Sequence, residues 1–109
     1  LRLVLNLDVV WASEGVYEVG STSQYLVDRG VEEATGRGIP EVVAFGEPGL
    51  GSDHFPFQTR GIDTFWAQRW PYRHYHTVRD THDRVDWERS RDAVLVNRAI
   101  LREAVGLDP

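Results

Sequence analysis

The sequence predicts an α/β fold with a largely parallel sheet. Short runs rich in apolar and β-branched residues alternate with stretches of helical periodicity, and capping or glycine signals mark the changeovers. In sheets of this kind ligand sites gather at the carboxyl ends of strands. Several of the chain's polar side chains stand where such ends are expected.

Leu1 to Val10, Leu-Arg-Leu-Val-Leu-Asn-Leu-Asp-Val-Val, contains neither glycine nor proline and reads as a strand of the interior type. An interior strand opening at residue 1 needs neighbours on both sides, and this chain supplies few, so further sequence upstream is expected. Ser13 to Gly20 reads as a loop. Ser21 or Thr22 is then positioned to cap a helix running to about Thr35, with Tyr25, Leu26, Val31 and Ala34 near helical spacing and Gly36-Arg37-Gly38 closing it. Glu41 to Phe45 is a short strand, followed by the loop Gly46-Glu47-Pro48-Gly49-Leu50-Gly51. Ser52 or Asp53 can cap a short helix through Arg60, and Ile62 to Ala67 is another strand. Gln68 to Arg84 is a long connection. Asp86 caps a final helix from Trp87 to about Val105, whose apolar face is expected to carry Ala93, Val94, Val96, Ile100, Leu101 and Val105. No internal repeat, low-complexity run or domain boundary interrupts the 109 residues.

Composition narrows the chemistry by what it omits. There is no cysteine, which removes thiolate nucleophiles, disulfides and sulfur-bound zinc. There is no lysine either, so neither a Schiff base nor a phosphate-loop lysine can form. Methionine is absent even from the first position, and the chain is expected to be a processed product or a fragment. Net charge is −5 and the arginines are scattered among acids, which argues against nucleic acid as a main partner. No apolar run reaches the ~20 residues of a membrane span, and no signal-peptide pattern is present.

Residues 74–83 hold three of the four histidines together with Asp80 and Asp83. Imidazole and carboxylate suit a divalent metal such as zinc, and a solvated loop would tolerate the same composition. One histidine acting as ligand, with the others beside it or on the surface, is the economical form of the first reading. Tyr75 next to a ligand can hydrogen-bond to charge developing on a substrate oxygen. Asp80 and Thr81 can serve a site directly or hold a turn. Asp8, ending an apolar strand, needs a hydrogen bond, an ion pair or a metal if it is buried; otherwise it caps the following loop. Ser52, Asp53 and His54 cannot form a nucleophilic triad, because such neighbours do not face one another at a helix start. Phe55, Phe57, Phe65, Trp66, Trp70 and Tyr72 either line an aromatic pocket or fill the core.

Three segments in order carry a resemblance: Asn6-Leu7-Asp8 at a strand end; Ser52-Asp53-His54-Phe55-Pro56-Phe57 followed by Gly61-Ile62; and Tyr75-His76-Thr77 followed by Asp80-Thr81 and Asp83. Together they resemble the second half of the dizinc exopeptidases related to bacterial leucyl aminopeptidase, a family that includes glutamate carboxypeptidases and glutaminyl cyclases. The resemblance implies a three-layer zinc-exopeptidase fold with a largely parallel mixed sheet. Residues 1–109 would form the C-terminal part of a single catalytic domain that requires its missing N-terminal half. It implies hydrolysis of N-terminal peptide bonds, a peptide or amino-acyl substrate, two zinc ions in the complete enzyme, and a secreted or periplasmic setting.

It further implies that Asp8 is a ligand to one zinc and His76 to the other. Tyr75 would polarise the scissile carbonyl, Asp53 and His54 would belong to the supporting network, and Asp80 with Thr81 would support the loop. The family's remaining ligands and its glutamate base would precede Leu1. Glu14, Glu18, Glu32 and Glu33 stand in no matching context. Trp11 occupies a place where the family often has glycine, and Asp63 one where proline is usual. A glutaminyl-cyclase-like acyltransferase shares much of this pattern but carries tryptophan where this chain has Tyr75. A non-catalytic interaction domain derived from the same fold is the further alternative.

Overall fold

Side chains that alternate along a strand and recur at helical spacing on its neighbours set the layers of this protein. Its computed structural model describes residues 3–45 and 52–106. The elements run β1 (Leu3–Asp8), β2 (Val16–Ser21), α1 (Gln24–Gly36), β3 (Val42–Ala44), α2 (Phe55–Gln58), β4 (Asp63–Trp70), a 3-10 turn at His82–Arg84, and α3 (Trp87–Ala104). The strands form a mixed sheet in the order β1-β4-β2-β3. β1 pairs parallel with β4 and β2 parallel with β3, while β2 and β4 run antiparallel. The expected α/β architecture with a largely parallel mixed sheet is therefore the one observed. The loop expected over residues 46–51, and Leu1 at the opening of the expected first strand, lie outside the described residues.

One face of the sheet is apolar and packs beneath α1 and α3. Tyr17, Val19, Phe65 and Ala67 meet Leu26 and Ala34 of α1 and Ala93, Val96 and Ile100 of α3. Full burial of one such large side chain contributes about 1.5–3 kcal/mol. Gly30, in the middle of α1, is explained by this contact. A Cβ there would come within 2.7 Å of Val19 and 2.8 Å of Phe65, so the glycine lets the helix lie close on the sheet.

Several expectations are corrected. Ser13 to Gly20 was expected to be a loop, yet Val16–Ser21 is a strand flanked by β4 and β3. Gly20 mimics a turn signal, but it is needed because the Trp66 indole lies over it; a Cβ would sit 2.0 Å from the ring. β1, expected to be interior, pairs only with β4 among the described residues and stands at the sheet edge. The cap of α1 is Ser23, which accepts from the Leu26 amide at 3.3 Å, and not Ser21 or Thr22. Those two residues tie β2 to the start of β4: Ser21 Oγ donates to the Thr64 carbonyl at 2.6 Å, and Thr22 Oγ1 accepts from the Thr64 amide at 3.0 Å.

The short helix α2 ends at Gln58 rather than Arg60, and neither Ser52 nor Asp53 caps it; His54 holds that position without a side-chain cap bond. β4 extends to Trp70, three residues past its expected end, because pairing with β2 continues to Val16. Asp86 caps α3 as expected, accepting from the Arg89 amide at 3.1 Å. Only part of the expected apolar face of α3 is inward. Ala93, Val96 and Ile100 are buried, with Asn97 between them, while Val94, Leu101 and Val105 are exposed.

Candidate active site

Parallel pairing brings the two candidate ligand segments to one end of the sheet. Asp8 closes β1 opposite Gln68 of β4, and β4 ends two residues later at Trp70. The chain then turns through Pro71 into the segment that bears Tyr75 and His76. β2 starts at the same end, with Val16 opposite Trp70. This is the strand-end position where α/β sheets present ligand sites.

Asp8 lies on the sheet face opposite α1 and α3, by strand alternation with Asn6. It is half-buried, and a chain of polar contacts fixes it. Asn6 Nδ2 donates to Ser52 Oγ at 2.7 Å, and Ser52 Oγ donates to Asp8 Oδ2 at 3.1 Å. Asn6 Nδ2 also lies 3.2 Å from His54 Nδ1. The buried His54 ring stacks on Trp66, with centroids 4.4 Å apart and planes 5° from parallel. Ser52, read from sequence as a possible cap, thus spends its hydroxyl on Asp8. No arginine pairs with Asp8 among the described residues.

Register adds residues that sequence reasoning passed over. Gln68 stands between Asp8 of β1 and Glu18 of β2. Its Nε2 donates to Glu18 Oε2 at 2.7 Å. Glu18 is therefore engaged, as are the other glutamates set aside as bases: Glu14 faces Arg73, and Glu32 and Glu33 pair with Arg29.

The turn after Asp8 is strained. Val9, a β-branched residue, has φ 54°, and such a conformation costs roughly 1–3 kcal/mol unless its surroundings impose it. Val9 packs with Ala12 and the buried Tyr72, and Trp11 lies edge-on to Tyr72 at 4.9 Å. His76 has φ 55° as well. Of the three non-glycine residues with positive φ among those described, one directly follows the candidate ligand Asp8 and another is the candidate ligand His76 itself.

The second segment is far more open. Tyr75, His76 and residues 77–84 are exposed, and His74 is half-buried. The Tyr75 ring stacks on His76 at 3.8 Å and meets Trp70 edge-on at 4.9 Å. Asp80 accepts from the Tyr72 hydroxyl at 2.9 Å, and Thr81 donates to Asp83. Side-chain to backbone bonds in this segment come from Thr77, which donates to the His74 carbonyl at 2.6 Å and accepts from the Arg79 amide, and from Arg84 Nε, which donates to the Arg79 carbonyl. His82 lies exposed in the 3-10 turn, and Asp53 is exposed and takes no part in the Asp8 network among the described residues. Of the aromatics left open between pocket and core, Phe65, Trp66 and Tyr72 are buried, whereas Phe57 and Trp70 are exposed.

Burial pushes the Tyr72 hydroxyl up, and its bond to Asp80 adds to that. Burial, with Arg84 and Arg73 nearby, holds His74 below the usual imidazole value. A cleft of about 690 Å³ opens beside this segment, lined by Glu14, Tyr72, Arg73, His74, Arg84 and Trp87 among others; Asp8, Tyr75 and His76 do not line it. No group of three or more histidine, cysteine, aspartate or glutamate side chains converges on a metal position among the described residues. The pair formed by Asp8 and His76 still suits zinc in chemistry. It offers oxygen and nitrogen donors, and one Asp8 oxygen is already oriented by Ser52.

The model of peptidase family M28 matches residues 1–101. Two structures of a zinc aminopeptidase from Bacillus subtilis superpose with a TM-score of 0.71, at 24% and 23% identity. Each match covers 94% of this chain and 28% of the aminopeptidase, so the chain spans under a third of the length of the structures it resembles. Among curated proteins none matches significantly.

Proposed function

The chain belongs to peptidase family M28, and from that premise we propose that the complete polypeptide is a zinc-dependent aminopeptidase to which these residues contribute part of the active site. The observation that carries the reading is the parallel register of β1 and β4, which sets the Asp8 turn and the Tyr75–His76 segment at one end of the sheet. Asp8 would hold one zinc ion and His76 the other. Bound zinc supplies a Lewis acid and a water of lowered pKa. Ser52 and Asn6 keep the Asp8 carboxylate turned in one direction. Tyr75, its ring held between His76 and Trp70, can donate a hydrogen bond to the carbonyl oxygen of a peptide as charge builds there. Asp53, Asp80 and Thr81 act, in this reading, only through the loops that bear the ligands.

In this reading a general base and further ligands come from outside this chain; among the described residues, Glu14, Glu18, Glu32 and Glu33 are engaged elsewhere. Residues 1–109 by themselves are expected to be inactive. The test is zinc content and leucine-anilide hydrolysis by the complete polypeptide and its Asp8→Ala and His76→Ala variants. Loss of a ligand disturbs the metal itself, so activity should fall more than about tenfold in each. Wild-type activity in both would sink the assignment. Cyclisation of an amino-terminal glutamine without release of a free amino acid would move it to the acyltransferase branch.

A further inference from the structure

We propose that Arg69 is a positioning residue for Asp8, acting through the carbonyl of Val10. This rests on the reading of Asp8 as a zinc ligand. Arg69 lies on β4 next to Gln68, the residue paired with Asp8, but on the opposite face of the sheet. It is 2% exposed. Its guanidinium sits over the Tyr17 ring at 5.0 Å, and no carboxylate forms an ion pair with it among the described residues. Burial, with Arg89 nearby, holds its pKa below the usual guanidinium value.

Asp92 and Asp86 favour its charge but form no ion pair with it among the described residues, and a buried charge without such a pair is costly. Its side-chain hydrogen bond runs from Nε to the Val10 carbonyl at 3.3 Å, while Nη2 is buried without a partner. That carbonyl belongs to the turn in which the backbone leaves β1 through the left-handed Val9. The next carbonyl, of Trp11, is taken by the Asp86 amide at 2.8 Å, where α3 begins. Two successive carbonyls are thus pinned, one by a side chain of β4 and one by the start of α3. With both held, Val9 cannot relax to an extended conformation without breaking a buried hydrogen bond. The strand end that carries Asp8 inherits this fixed exit.

Glutamine and methionine separate the positioning role from mere packing. In Arg69→Gln, Nε2 stands as many bonds from Cα as the arginine Nε, so the donor toward Val10 is kept and the rest of the guanidinium is deleted. Arg69→Met has the same reach without a donor. Both are made in the complete polypeptide. Zinc affinity is measured by chelator competition, and amide hydrogen exchange of residues 9–12 is followed in the metal-free form. Arg69→Met should weaken zinc binding about tenfold and speed that exchange, while Arg69→Gln should stay within about threefold of the parent in both.

Unchanged affinity and exchange in a folded Arg69→Met, or equal losses in both variants, would overturn the proposal. If Arg69→Met does not fold, Arg69→Gln decides. Parent-like exchange and affinity support the Nε contact; a tenfold loss, or failure of this variant to fold as well, refutes it. Exchange in the metal-free protein does not depend on zinc. An Asp8→Ala variant that keeps its zinc would therefore defeat the ligand reading and leave the Arg69 result to stand by itself.

Discussion

The turn that follows Asp8 and the segment that carries His76 meet at one end of the sheet and are built in opposite ways. The first is held from several directions: Ser52 and Asn6 on one face, Arg69 on the other, and the Asp86 amide at its exit. The second is a run of exposed residues held by contacts a few positions apart, such as Thr77 to the His74 carbonyl and Thr81 to Asp83. One candidate ligand is thus fixed by tertiary structure and the other by local turns. The difference teaches where a substitution will be felt at a distance and where it will stay local.

The largest expected effect is on the first side. Trp66 lies over Gly20, and His54 stacks on Trp66 within reach of Asn6. A methyl group at residue 20 must displace the indole, and overpacking of this kind costs roughly 1–3 kcal/mol or more. Gly20→Ala is expected to lower the urea midpoint of the complete polypeptide by the equivalent of about 3 kcal/mol. It should also weaken zinc binding, since the His54 stack shifts with the ring. A midpoint equal to that of the parent would show that the Asp8 side is no more tightly built than the loop.

Ser52→Ala is a narrower break. It removes the donor to Asp8 Oδ2 and leaves Asn6 Nδ2 without that acceptor. Partners that orient a metal ligand typically matter 10–100-fold in affinity, and a single hydrogen bond about 1 kcal/mol in stability. Zinc affinity should therefore fall by roughly tenfold while the unfolding midpoint moves little. A variant that loses stability but binds zinc like the parent would make Ser52 a structural residue and nothing more.

The same contrast explains what could be read from the sequence. α1, α3, β1, β3 and β4 were legible because each carries a continuous pattern, and Asp86 was legible as a cap because the helical pattern begins directly after it. β2 was missed because Gly15 precedes it and Gly20 lies within it, and the need for Gly20 is a neighbour on another strand. Asp8, Tyr75 and His76 could be named as candidates from local motifs and their order. Ser52 was named but given a cap's duty, since its bond to Asp8 spans 44 residues. Gln68 and Arg69 gave no signal at all, and Glu18 was weighed only as a base and set aside. Their meaning lies in register, and a one-residue shift would turn each to the other face.

The smallest expected effect belongs to the loop. The Thr81 hydroxyl, with Asp83's own backbone amide next, holds the Asp83 carboxyl below its ordinary value of 3.8, against a weaker upward push from burial. A carboxyl depressed in the folded state contributes stability that is present above its unfolded pKa and is lost as pH falls through the folded value. Thr81→Val removes the hydroxyl donor, so the Asp83 pKa should rise toward 3.8 in a carbon-detected NMR titration. Parent and variant should differ slightly in stability near neutral pH and converge in acid, below the folded pKa of the parent. The group is exposed, and solvent screens the interaction, so zinc affinity at neutral pH should change less than in Ser52→Ala. An Asp83 pKa that does not move would show that the loop is not held by this contact. A large loss of zinc affinity would show that the loop is coupled to the site as firmly as the Asp8 turn is.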